Sequence, residues 1–169
     1  MLFALTACPV WAAPTGLSDT GYLVQDPVLI KLKDGATLSA IIVRKEGVHQ
    51  PMPATLFFTP YYQGKGDIAF AKDPAERGFV GVVVYSRGIR TNVNGFVPYV
   101  HDGQDAREVI EWIAHQPWCD GKVGMFGGSY VGFVQWAVAE DPPPALKTIV
   151  PQVAIMPGFG VPMENNVFQ

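Results

Sequence analysis

The stretch GKVGMFGGSYVG (residues 121–132) constrains what this chain can fold into more than any other. Its apolar run, 122–126, reads as a short buried strand. The following SYVGFVQWAVAE (129–140) reads as a helix, ended by Pro142, Pro143 and Pro144. Gly127 and Gly128 leave room for a tight bend, and Ser129 stands at its apex. A strand that turns directly into a helix belongs to a parallel sheet covered by helices. Two readings of Ser129 are open at this level. It is a nucleophile held out on a strained bend that its small neighbours permit, or it is an ordinary serine N-cap after a glycine turn. The generic nucleophile pattern, G-x-S-x-G, is met at Gly127 but not at Val131; the second glycine comes one position later, at Gly132.

The rest of the chain supports an α/β fold with a mostly parallel sheet. PVLIKLKDGATLSAIIV (27–43) reads as two strands joined at Asp34-Gly35, a strong hairpin signal. ATLFFT (54–59) is a short apolar strand ended by Pro60. DIAFAKDPAERG (67–78) is expected to be helical in its second half, with Gly78 as its C-terminal stop. FVGVVVYS (79–86) is a continuous β-branched run, as in a strand buried on both faces. A loop, RGIRTNVNGFVPYV, leads into an amphipathic helix at 102–116, with Ala106, Val109, Ile110 and Ile113 on one face and Asp102 at the N-cap end. LKTIVPQ (146–152) is a final strand. Trp112, Trp118 and Trp136 are expected to pack on the sheet.

Composition narrows the function. With 169 residues the chain can bury one real core. Its net charge of −3 and the absence of a basic run argue against nucleic acid as a partner. No later segment is long and apolar enough to span a membrane. There is no P-loop or dinucleotide fingerprint, and Cys119 has no Cys or His at ligand spacing, so neither cofactor nor metal is expected. The opening MLFALTACPVWAAPTG reads as an export signal over residues 1–13, with Val10 and Ala12 at the −3 and −1 positions of a cleavage site. That places the protein in the periplasm or outside the cell. A lipoprotein signal ending at Cys8 and a plain apolar N-terminus are the alternatives.

At the serine the resemblance becomes specific. GMFGGSYVG is similar to the G-x-S-Y-x-G elbow of the cocaine-esterase, glutaryl-acylase and X-prolyl dipeptidyl-peptidase group of α/β-hydrolases, whose nucleophile is followed by tyrosine and whose second glycine is displaced as here. DGATLSAIIVRK resembles their opening hairpin, and TPYY their strand-end proline–tyrosine turn. YSRGIRTNVNGFVPY resembles their Arg-Gly loop, and DGQDAREVIEWIAHQPWCDGKVGMFGGSY their helix and approach to the elbow. The resemblance spans about residues 25–155. One departure stands out: two residues before the Arg-Gly pair, where the family often carries an acid or asparagine, this chain has Tyr85-Ser86.

The resemblance implies an α/β-hydrolase fold and acyl transfer to water on a small ester, amide or peptide substrate. Ser129 would be the nucleophile. The backbone N–H of Tyr130 would be one oxyanion donor, and a tyrosine hydroxyl of the proline–tyrosine turn the other. Alignment on Pro60 assigns that hydroxyl to Tyr61, with its neighbour Tyr62 as the competitor. A serine also needs a base and an orienting acid, which in this fold follow it in the order Ser, Asp or Glu, His. No histidine follows Ser129; His49, His101 and His115 precede it and read as surface or cap residues. The acids after it are Glu140 and Asp141, at the far end of the helix, and Glu164. The expectation is therefore the N-terminal part of such an enzyme: 1–13 signal, 14–155 the first part of the hydrolase domain, 156–169 the start of an inserted cap. A non-catalytic binding module on the same fold is the rival. Oligomeric state is not legible.

Overall fold

Alternating burial assigns the two faces of the sheet. A computed structural model describes residues 17–90 and 95–157 and the pairs 160–161, 163–164 and 167–168, with side chains for 20–90 and 95–156. The expected signal at 1–13, with Cys8, lies outside the described residues; beyond Met156 the expected cap region is described only as short backbone stretches. The main elements are β1 (Leu17–Asp19), β2 (Tyr22–Lys31), β3 (Thr37–Lys45), β4 (Met52–Thr59), α1 (Asp67–Glu76), β5 (Val80–Tyr85), α2 (Asp102–Ala114), β6 (Cys119–Gly128), α3 (Tyr130–Ala139) and β7 (Leu146–Gln152). Leu38, Ala40 and Ile42 of β3, Leu56 and Phe58 of β4, and Val80, Val82 and Val84 of β5 face α2 and α3. The intervening Ile41, Val43, Phe57, Val83 and Tyr85 face α1. A strand buried on both faces has no polar side to show, so every residue of β5 is buried, as its unbroken apolar run predicts.

The sheet runs β1-β2-β3-β5-β4-β6-β7. Strands β5, β4, β6 and β7 pair in parallel, whereas β1, β2 and β3 join them through antiparallel pairs. This is an α/β-hydrolase sheet. The C-terminal ends of β4, β5 and β6 therefore lie together, and the turns after them converge at one end of the sheet.

Several elements extend past their sequence limits for visible reasons. Helix α1 begins at Asp67 rather than midway, because the Asp67 carboxylate anchors its first turn by accepting the Gln63 N–H (2.9 Å) and the Tyr85 hydroxyl (2.8 Å). Gly78 follows the helix with φ 89°, the left-handed stop expected. Strand β6 runs on through both glycines, since Gly127 and Gly128 pair with Pro151 and Gln152 of β7. The glycine inside β5 is also accounted for: a Cβ on Gly81 would overlap the Ala71 carbonyl, so α1 lies directly on the strand backbone. One expectation fails. Trp136 is 58% exposed on the outer side of α3, because Tyr130, Val134 and Val138 take the sheet-facing stripe. Trp112 and Trp118 do pack against the core, edge to face at 6.4 Å.

Candidate active site

Ser129 lies between the end of β6 and the first residue of α3, as the bend requires. Its backbone has φ 57° and ψ −125°, a conformation that a residue with a Cβ rarely adopts and that costs on the order of 1–3 kcal/mol. Its side chain makes no capping hydrogen bond and is exposed. Ser129 thus stands at the N-cap position of α3 without capping it: its hydroxyl bonds none of the helix amides that a capping serine would satisfy.

Neighbouring groups hold the strained bend. The Ser129 N–H donates to the Gln152 carbonyl (3.0 Å), and the Ser129 carbonyl accepts from Phe133 (3.1 Å) and Ile155 (3.4 Å). Gln135, fully buried in an otherwise apolar stretch of helix, donates to the Gly127 carbonyl (3.0 Å) and accepts the Val150 N–H (2.9 Å). It ties β6, α3 and β7 together at the elbow. Gly127 sits at φ 127°, and a Cβ there would lie 2.5 Å from Val131 Cγ1 and 2.8 Å from Phe57 Cε2. The displaced glycine has its own cause. A Cβ on Gly132 would lie 2.9 Å from Ala154 Cα, so this position admits the chain leaving β7 close to the helix. Val131 needs no such room, because its side chain is buried over Gly127.

The two candidate tyrosines point to different neighbours. The Tyr61 N–H donates to the Thr59 Oγ1 (3.0 Å), which folds the chain over the end of β4. The half-exposed Tyr61 ring meets the Tyr130 ring edge on, with centroids 6.5 Å apart. Tyr62 instead packs on Tyr85 (5.6 Å), beneath the Arg90 guanidinium. Of this pair, Tyr61 is the one set against the residue that follows Ser129. The N–H of Tyr130 is the first amide of α3, where helix amides lack carbonyl partners and favour negative charge.

The Tyr130 side chain carries a feature absent from the sequence reading. Its hydroxyl donates to Asp102 Oδ2 (2.7 Å) and accepts the Tyr99 N–H (2.7 Å). Ser86 Oγ donates to the other Asp102 oxygen (2.7 Å). Asp102 is thus not a cap: His101 takes that position without a side-chain bond, and the Asp102 carboxylate is buried, facing inward. The departure at Tyr85-Ser86 is explained at the same time, since Ser86 serves Asp102 and Tyr85 serves Asp67. Burial, reinforced by the bond to Asp102, pushes the Tyr130 phenol well above its ordinary value. Arg87 of the Arg-Gly loop grips Asp105 through two bonds of 2.6 Å and reaches Asp34 at 2.7 Å, clamping α2 to the β2–β3 turn. These partners hold its guanidinium firmly charged, Asp105 most of all. A serine before Arg-Gly and an aspartate opening the next helix were the available signals, but they lie 16 residues apart.

Among the described residues no histidine is hydrogen-bonded to Ser129. His49 lines a hollow of about 250 Å³ with Arg44, Met52 and Trp118, beside the starts of β4 and β5 and so at the opposite end of the strands. His101 and His115 are exposed, and His115 Nδ1 is bonded to the Glu111 carbonyl (2.7 Å). Asp141 is paired with Arg107 at the far end of α3 (2.8 Å). Among the described residues no three His, Cys, Asp or Glu side chains are grouped to hold a metal, and no helix is long and apolar enough to cross a membrane.

Comparison with known proteins gives the family and the fold. Residues 34–169 match the family described as X-Pro dipeptidyl-peptidase (S15 family). The chain is 34% identical over 145 residues to a cocaine esterase of Rhodococcus sp. (strain MB1 Bresler), which covers 80% of this chain but 24% of that protein. It is 38% identical over 76 residues to an Xaa-Pro dipeptidyl-peptidase of Lactobacillus delbrueckii subsp. lactis, covering 36% of this chain and 10% of that one. An α-amino acid ester hydrolase structure superposes with a TM-score of 0.67 at 26% identity, over 93% of this chain and 30% of the other. The chain thus spans about a quarter or less of the curated relatives' length.

Proposed function

Because the chain belongs to the X-Pro dipeptidyl-peptidase (S15) family, we propose that it is the nucleophile-bearing part of a serine hydrolase that cleaves esters or amides, X-prolyl peptide bonds among them, through an acyl-enzyme on Ser129. One observation carries the reading: the exposed Ser129, held at φ 57° by bonds to α3, β7 and the segment after β7, with its side chain spared from capping. Strain of this kind persists only where the surroundings over-determine it. In the reaction Ser129 Oγ attacks the acyl carbon and its proton passes to a base. The carbonyl oxygen becomes an oxyanion beside the Tyr130 N–H and the Tyr61 hydroxyl. Collapse expels the alcohol or amine with a proton returned from the base, and water then releases the acid by the same steps.

In this fold the acid and the histidine follow the nucleophile, and the cocaine esterase that this chain matches is about four times longer than the matched stretch, so we propose that the base and its orienting acid belong to the part of the protein following this stretch. The 169-residue chain alone is then expected to give no burst with an activated ester, because an unassisted serine hydroxyl is a weak nucleophile. The test uses the full-length protein. A fluorophosphonate should label Ser129, and Ser129→Ala should abolish labelling and ester turnover. A full-length protein with neither labelling nor turnover would instead support a binding module on a hydrolase fold.

A further inference from the structure

We propose that Asp102 and the Tyr130 phenol form a positioning pair that sets the oxyanion site. This inference rests on the proposed role of Ser129. The Asp102 carboxylate, 3% exposed at the first turn of α2, receives Tyr130 from α3 on one oxygen and Ser86 from the end of β5 on the other. The same phenol receives the Tyr99 N–H, and Tyr99 is itself held at φ 68°, unusual for an aromatic residue. The Tyr99 ring stacks on Tyr130 at 4.8 Å, while the Tyr61 ring leans on Tyr130 at 6.5 Å. One buried carboxylate thus fixes the Tyr130 ring, against which the Tyr61 ring lies and whose own backbone carries the other oxyanion amide of the proposed site.

Tyr61 has no side-chain hydrogen bond in the described structure, and its backbone is anchored only through Thr59. Its ring direction therefore depends on the surface against which it lies. Removing the Tyr130 hydroxyl leaves Asp102 with Ser86 alone and the Tyr99 amide without its acceptor. The Tyr99 loop and the Tyr130 ring are then free to shift, and Tyr61 follows. A donor displaced by a fraction of an ångström loses most where charge develops, so the effect falls on kcat and not on substrate binding.

The experiment compares full-length variants on an activated ester, with Tm measured for each. Tyr130→Phe should lower kcat about tenfold or more while KM moves less than about twofold. Asp102→Asn, which keeps the side-chain shape, should lower kcat in the same way, and it serves if Tyr130→Phe does not fold. Ile113→Val removes core packing at the far end of α2 and provides the purely structural comparison: a lowered Tm with kcat retained. The proposal is overturned if Tyr130→Phe or Asp102→Asn keeps wild-type kcat, or if Ile113→Val loses kcat as they do. Retained turnover in Ser129→Ala would instead sink the assignment of the site, an outcome these variants do not mimic.

Discussion

Replacing Gly132 by alanine sets two effects of known size against each other. In an exposed helix interior the change is favourable by about 0.8–1 kcal/mol, because glycine loses more backbone freedom on folding. Here the new Cβ would stand 2.9 Å from both Ala154 Cα and Ala154 Cβ and 3.1 Å from the Gln152 carbonyl oxygen. None of these is the tip of a flexible side chain, so α3 and residues 152–154 must part by at least about 0.5 Å to reach ordinary contact. Overpacking of this kind costs about 1–3 kcal/mol, which outweighs the propensity gain and leaves a net loss of up to about 2 kcal/mol. The same separation pulls on the bond from Ser129 N–H to Gln152 and on the carbonyl bond from Ile155. A nucleophile moved by about half an ångström should lose about tenfold in kcat, scaled from the hundredfold typical of 1 Å. Urea unfolding measures the first effect, and ester kinetics of the full-length protein the second. A Gly132→Ala protein more stable than the parent, with unchanged kcat, would show that the displaced glycine is not a close-approach position.

Tyr61→Phe should lower kcat by about 10²–10³-fold with little change in KM, while Tyr62→Phe, packed on Tyr85 and Arg90, should retain it; the reverse result in ester kinetics would exchange their roles. Burial raises the phenol pKa of Tyr85, Tyr99 and Tyr130, so the folded chain keeps protons that the unfolded chain gives up near pH 10. Their stabilisation is complete below about pH 10 and is lost progressively above it; urea midpoints should fall as the pH rises above about 10, less steeply in Tyr130→Phe, and a flat profile would contradict this. Cys119 is buried, and desolvation raises its thiol pKa; it should resist iodoacetamide in the native protein and react once unfolded, as peptide mass spectrometry would show.

The chain's local patterns determine much of this protein. The unbroken apolar run of β5, the inward face of α2 at Ala106, Val109, Ile110 and Ile113, and the glycines before Ser129 each state their own burial or backbone need. Such signals are legible because strand and helix periods, and the demand for small residues at a bend, act within a few neighbours. They place the serine at a strand-to-helix turn and put the turns after β4 and β6 at one end of a parallel sheet. Periodicity does not separate Tyr61 from Tyr62, which only the alignment on Pro60 distinguishes in the sequence; that one ring meets Tyr130 and the other Tyr85 is visible in the tertiary structure alone. The inward turn of Asp102 depended on Ser86 and Tyr130, 16 and 28 residues away, each on another element. Gly132 is small because of Ala154, and Gln135 is polar because of Gly127 and Val150. Hydrogen bonds and close contacts between distant elements exist only once the sheet order brings them together, so periodicity located the elbow and tertiary packing alone decided what holds it.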